Sequence, residues 1–205
     1  MGSVLIAGER FGVIRDAFLK RGHQAISCDL VNTEVAGPHI ISDYLALDWL
    51  AFDIVIVHPT CTALTVSGNA HYAGTQARKN AVDHIAEIWS KPVKRLCLEN
   101  PVGVINTALD YMPRPQYIQP YEFGSNASKK TGLWLKNLPP LKKHDTLYVP
   151  GRVVEYNGKT YRRWANQTDS GQNKLSPGKE RAMKRAKTYP GIAMEMALQW
   201  GNLLD

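Results

Sequence analysis

The chain is poor in the features that mark secreted, membrane-spanning or metal-built proteins. Its 205 residues include only three cysteines, Cys28, Cys61 and Cys97. Such an odd, sparse set excludes the paired framework of a small secreted domain and implies a reducing cytoplasm. No apolar run reaches the ~20 residues that a membrane helix needs, so no membrane partner is expected. The apolar start, Met1 to Ala7, lacks the charged flank and cleavage site of a signal peptide and reads as a buried first strand. His58 and Cys61 have no second CxxC or HxxxH pair to complete a tetrahedral set, so no metal is expected. There is no internal repeat, and the length suits a single domain over residues 1–205.

Acidic residues are scarce in one stretch. Residues 129–187 hold 15 Lys and Arg against 4 Asp and Glu, within a chain whose net charge is +7. Residues 1–128 are slightly acidic, with 10 against 12. A polyanion such as nucleic acid or a nucleotide is the natural partner of that basic stretch, the plainer alternative being a solvated lysine-rich surface.

The order of elements points to an α/β fold. Ser3–Ala7 is a short β-type run, followed by a glycine turn, Gly8 to Gly12. Val13, Ile14, Ala17 and Phe18 then recur at helical spacing, and Gly22 suits a helix C-cap. Gln24–Cys28 reads as a second strand ending in Asp29, which completes a βαβ unit. Asp53–Val57 is the apolar run of a central parallel strand, Ala77 to Trp89 carries a crossover helix, and Arg95–Leu98 supplies the next strand. This alternation predicts a doubly wound, mostly parallel sheet. Beyond Pro101 prolines break the pattern, and Asn157-Gly158 predicts a hairpin between Val153–Tyr156 and Lys159–Tyr161. Pro177 is placed to start a helix through Lys187, and Ile192, Ala193, Met196, Ala197 and Trp200 stripe a last one. The expected division is a core of 1–112 and 186–205 around a basic, loop-rich insertion at 113–185.

Two segments carry candidate chemistry. His58-Pro59-Thr60-Cys61-Thr62 and Leu98-Glu99-Asn100-Pro101 each close a predicted strand, at the carboxyl edge where open α/β sheets build their sites. A cysteine nucleophile beside a glutamate suits covalent attack on a heteroaromatic ring. A helix N-terminus beyond Cys61 would favour its thiolate. Partial desolvation would raise the Glu99 pKa until it held a proton near neutrality, although Glu99 could equally tie down the following loop. Cys28 and Cys97 lie inside apolar runs and read as packing. The Gly8–Gly12 turn lacks a full GxGxxG pattern but lets a ligand approach the backbone, and Asp29 stands where an acid bonds a ribose hydroxyl. Asp43 could accept from an adenine amine; alternatively these acids are ordinary loop residues. Lys129, Lys130, Arg162, Arg163, Lys184 and Arg185 are candidates for phosphates. Trp134, Tyr161 and Trp164 are candidates for base stacking, or for simple core packing.

In this order the motifs resemble the DNA cytosine-5 methyltransferases, which use S-adenosylmethionine (SAM). Gly8, Glu9, Phe11 and Gly12 are similar to the family's glycine-rich cofactor turn, and Asp29 and Asp43 match its following acids. Pro59-Thr60-Cys61-Thr62 resembles the Pro-Cys-Gln catalytic loop, with Thr60 and Thr62 replacing a proline and the glutamine. Glu99-Asn100-Pro101 resembles the Glu-Asn-Val motif, and Thr188-Tyr189-Pro190-Gly191 opens a helix like the family's last. The similarity covers residues 1–125 and 185–205, and the chain looks like a compact, phage-type relative without a large target-recognition domain. The resemblance implies a Rossmann-like SAM-dependent methyltransferase fold with SAM as cofactor, held by Gly8, Glu9, Phe11, Gly12, Asp29, Asp43 and Pro59. It implies a cytosine in DNA or a nucleotide as substrate. Cys61 would add to C6 and Glu99 would meet the N3/N4 edge, with Asn100, Pro101, Lys129, Lys130, Arg162 and Arg163 binding the substrate. Two other readings stay open: another nucleotide- or nucleoside-modifying enzyme on this scaffold, and a non-catalytic nucleic-acid binder with a methyltransferase-like shell.

Overall fold

The computed structural model describes residues 1–176 and 179–204; the helix start expected at Pro177 lies outside them. Seven strands form one sheet, in the order β3-β2-β1-β4-β5-β7-β6. β1 (Ser3–Ala7), β2 (Gln24–Asp29), β3 (His39–Ile41), β4 (Ile54–Val57) and β5 (Leu96–Pro101) run parallel. β7 (Thr131–Lys136) is antiparallel to β5, and β6 (Gln116–Ile118) is antiparallel to β7. The predicted doubly wound, mostly parallel sheet is therefore present. It also draws two strands from the stretch read as a basic insertion, which leaves the sheet only after Lys136.

The central strands are buried on both faces, and side chains alternate between two cores. Val4, Ile6, Ile54, Ile56 and Cys97 point to the face covered by α1 (Val13–Lys20) and the C-terminal helix. Leu5, Ala7, Val55, Val57, Leu96 and Leu98 point to the other face. There they meet Ile85 and Ile88 of α3 (Gln76–Ser90), which the one-turn helix α2 (Asn69–Tyr72) precedes. A second one-turn helix, α4 (Ile105–Ala108), follows β5. The expected hairpin is β8 (Arg152–Tyr156) with β9 (Lys159–Arg163), and Asn157 takes a positive φ of 49° at its turn. α5 (Lys179–Ala186) carries much of the basic charge, and α6 (Pro190–Gly201) closes the fold against α1. No helix among the described residues is long and apolar enough to cross a membrane.

Candidate functional site at the carboxyl edge of β4 and β5

Register explains why two distant segments meet. Val57 pairs with Leu98, so the next residues, His58 and Glu99, emerge side by side. His58 Nδ1–H donates to Glu99 Oε2 at 3.1 Å, in a pair whose side chains are only 12% and 17% exposed. Beyond β4 the chain is held in a tight turn: Cys61 C=O accepts from Leu64 N–H and Thr65 N–H, at 2.9 and 3.1 Å. Asn100 Nδ2–H anchors the turn's start by donating to Pro59 C=O at 3.2 Å. From outside, Arg78 of α3 donates to Ala63 C=O at 2.7 Å. On the β5 side, Val104 N–H donates to Leu64 C=O at 2.9 Å, and Thr65 bridges to Gly103. The thiol-bearing loop is thus fixed to the strand that bears Glu99.

The electrostatics invert both sequence expectations. Burial alone would raise the Glu99 pKa, but the nearby Lys129 ammonium, the His58 hydrogen bond and the Thr131 hydroxyl outweigh it. The carboxyl titrates below its ordinary range. Cys61 goes the other way: burial and then the Glu99 charge raise its thiol pKa, against a smaller opposing pull from Lys129 and Arg185. No α-helix N-terminus follows directly to support the thiolate: a 3-10 turn at Val66–Gly68 comes first, and the one-turn α2 starts only at Asn69. The resting pair is a protonated thiol near an ionised carboxylate. Two buried polar atoms beside them, His58 Nε2 and Asn100 Oδ1, have no partner among the described residues.

The expected cofactor residues gather around the ends of β1, β2 and β4. Gly8, at φ 75°, presses on the loop after β4, where an added Cβ would lie 2.5 Å from His58 C=O. Gly12, at φ 66°, turns the chain into α1 without a side-chain cap of its own. That work falls to Glu9: its carboxylate is 5% exposed and accepts from Ile14 N–H and Arg15 N–H at 2.8 and 3.2 Å. Glu9 is therefore an internal helix cap, not a ligand contact, and burial raises its pKa. Phe11 lies under Arg10 and Lys187, and Asp29 receives Val31 N–H at 3.3 Å on Oδ1. Asp43 is exposed and caps a short turn through Leu45 N–H. Two left-handed glycines in a tight turn after β1, with one acid at the end of β2 and another beyond β3, are compatible with a nucleoside-bearing cofactor. Cys28 and Cys97 are fully buried, as expected.

The basic residues separate into two groups. Pro101, Lys129 and Lys130 line a cleft of about 440 Å³ with Lys174, Lys184 and Arg185. Arg162 and Arg163 do not reach it: they donate to Gly151 C=O and Asp169 C=O within the hairpin region. The aromatic candidates are likewise engaged internally. Trp134 is buried and donates to Asn106, Trp164 stacks on Tyr121 at 3.9 Å, and Tyr161 lies under Arg163. A smaller hollow beside the cleft is lined by His58, Glu99, Lys129, Tyr189 and Met196. Sequence reasoning considered His58 only as a metal ligand and passed over Lys174. Aligning the ends of β4 and β5 would have found His58; only the folded insertion brings in Lys174.

No family model and no curated protein matches the chain. Among solved structures it is similar to a protein described as a DNA modification methyltransferase encoded within a prophage (E. coli), at 11% identity and a TM-score of 0.43, covering 66% of this chain and 46% of that one. It is also similar to a triple mutant of Spodoptera frugiperda DNMT2, at 16% identity and a TM-score of 0.40, covering 71% and 54%. The third is S. pombe Dnmt2 methyltransferase, at 14% identity and a TM-score of 0.40, covering 66% and 48%. The chain spans about half the length of these structures. Likeness this slight carries no argument, so fold and site rest on the sheet order and the geometry above.

Proposed function

We propose that this single domain is a SAM-dependent methyltransferase acting at C5 of a cytosine, in DNA or a nucleotide, through a covalent Cys61 adduct. One observation carries the reading: hydrogen bonds tie the loop that bears Cys61 to the strand end that bears Glu99, through Asn100 Nδ2–H on Pro59 C=O and Val104 N–H on Leu64 C=O, with His58 paired to the carboxylate. SAM, when bound, supplies an electrophilic methyl group. The Gly8–Gly12 backbone, Phe11, Asp29, Asp43 and Pro59 would hold it, with Glu9 shaping the turn from within.

Protonation states at rest suit the first step. Ionised Glu99 takes the Cys61 proton as sulfur bonds to C6 of the ring. The C5–C6 π pair shifts towards C4, and electrons displaced onto N3 accept that proton from Glu99. His58 Nδ1–H holds Glu99 in place during the transfer. C5, now nucleophilic, would accept the methyl group and then lose its own proton to water, the pair from that C–H bond reforming the C5–C6 double bond while N3 returns its proton to Glu99. The C6–sulfur bond breaks and the thiolate departs. Inside a duplex the base would have to leave the stack to reach Cys61.

A 5-fluorocytosine substrate tests this, because fluorine at C5 cannot leave as a proton and the adduct persists. With SAM present, the expected result is a covalent complex with the wild-type chain and none with Cys61→Ala. Methyl transfer that survives Cys61→Ala would overturn the mechanism.

A further inference from the structure

The cleft beside the candidate site concentrates charge in an unusual way. Its volume, about 440 Å³, lies within the roughly 300–1,000 Å³ typical of small-molecule sites. Lys129, Lys130, Lys174, Lys184 and Arg185 line it, and no carboxylate does among the described residues. They come from the start of β7, the segment before α5, and the end of α5 itself. The walls are built: Asn166 accepts from Ser128 N–H and donates to Ser128 C=O, both at 2.9 Å. Lys174 N–H in turn donates to Asn166 C=O at 2.9 Å. Further out in the basic stretch Arg152 pairs with Asp169 and Lys143 with Glu122, while at the cleft Lys130 Nζ lies over the Tyr117 ring.

A nucleic-acid strand spreads its charge, with one phosphodiester per ~3.4 Å of duplex axis, and is met by cations along a line. Here the cations surround one compact cavity. That matches a ligand whose negative charge is concentrated at one end, as in a terminal phosphate (about −1.5 to −2 at pH 7) or a chain of them. Lys129 and Tyr189 line both this cleft and the hollow at His58 and Glu99, so the two spaces adjoin.

We propose that the cleft seats the terminal phosphates of a free pyrimidine nucleoside polyphosphate whose base reaches Cys61 and Glu99. For the base this rests on the cytosine reading above; for the phosphates it rests on the cleft alone.

Calorimetric titration in magnesium-free buffer with dCTP, dCMP, deoxycytidine, inorganic tripolyphosphate and a single-stranded oligonucleotide without terminal phosphates provides the test. Expected are dCTP binding at least tenfold tighter than dCMP, deoxycytidine weaker still, and competition by tripolyphosphate. Lys174→Glu and Arg185→Glu should each weaken dCTP at least tenfold and leave deoxycytidine unchanged, while Lys174→Arg retains dCTP binding. Circular dichroism checks the variants' folding; if one fails to fold, the wild-type ligand series decides. The proposal is overturned if deoxycytidine matches dCTP, if tripolyphosphate does not compete, if folded charge-reversal variants bind dCTP as wild type does, or if the oligonucleotide binds more tightly than dCTP. Labelled SAM separates the two ideas. The phosphate ladder without methyl transfer to any cytosine sinks the proposed function and keeps the cleft assignment; methyl transfer to DNA without dCTP binding does the reverse.

Discussion

Gly103→Ala should loosen the site and the fold together. An added Cβ at Gly103 would overlap the Leu64 carbonyl oxygen, about 1 Å inside the 3.0 Å that real Cβ atoms keep. The neighbour is backbone, so no side chain can swing away, and the loop after β4 must part from the end of β5. Two hydrogen bonds stand in the path of that movement: Val104 N–H to Leu64 C=O at 2.9 Å and Val66 N–H to Val102 C=O at 3.3 Å. Overpacking costs about 1–3 kcal/mol, and each weakened bond about 0.5–1.5 kcal/mol, for a total of roughly 2–4 kcal/mol when the losses overlap. In a chain of this size that lowers Tm by roughly 5–15 °C. Local loosening reads out separately through Cys61, since Cys28 and Cys97 are buried. Its alkylation should accelerate about tenfold for every 1.4 kcal/mol of easier opening. Gly74→Ala is the control: it meets no atom within 4 Å, so only its left-handed φ of 74° is strained. It should cost about 1–2 kcal/mol and leave Cys61 reactivity unchanged. Wild-type Tm and wild-type alkylation in Gly103→Ala would refute the argument that these two loops are locked together.

Other outcomes follow from the same geometry. Glu99 titrates below its unfolded value, so its contribution to stability is complete above about pH 4.3 and is lost as pH falls through the folded value. Glu99→Gln should remove that acid-side loss, seen as urea midpoints that vary less between pH 5 and pH 3. Cys61 alkylation should rise with pH to a midpoint above the ordinary thiol value of about 8.5, and Lys129→Gln should move it higher still, because Lys129 opposes the shift. Arg15 is fully buried and donates to Ser27, Thr33, Val35 and Ala36. Arg15→Met should therefore cost about 1–3 kcal/mol for the acceptors it leaves unpaired, with amide exchange in residues 33–37 accelerating most.

What was legible in the sequence is what local pattern encodes. Ile54–Val57 is β-branched throughout and buried on both faces, so it reads as a central strand without any knowledge of its neighbours. Asn157-Gly158 announces its hairpin because the turn needs a positive φ. β3 has only three residues and too little pattern to register. β7 contains Gly132, which packs against Trp134 and Pro115, and it follows a lysine pair, so its run looked like loop. Its place beside β5 is a property of pairing, which no window of sequence contains. At the site, Cys61 and Glu99 were legible from their positions after apolar strands. The capping role of Glu9 was not, because a carboxylate in a glycine turn reads as a cofactor contact until α1 is seen to lack any other cap.

The sign of the Glu99 shift shows what strand direction adds. Desolvation, the one influence visible in the sequence, acts as expected and pushes the carboxyl up. The largest influence against it is Lys129, thirty residues away, joined by His58 and Thr131, and the positions of Lys129 and Thr131 depend on β7 running antiparallel. In the observed register Thr131 pairs with Pro101, which puts the start of β7 at the carboxyl edge of β5. Had β7 run parallel, its start would lie at the opposite edge, about 20 Å away across six residues at ~3.3 Å each. That is well beyond the ~8 Å screening length at physiological salt. Glu99 would then lose Lys129 and the Thr131 hydroxyl, leaving only His58 to oppose the effect of burial. The antiparallel strand brings a cation to the carboxylate and so favours its ionised form. The same reversal places Lys129 and Lys130 beside Pro101 on the wall of the basic cleft, so one choice of polarity brings cations both to Glu99 and to that cleft.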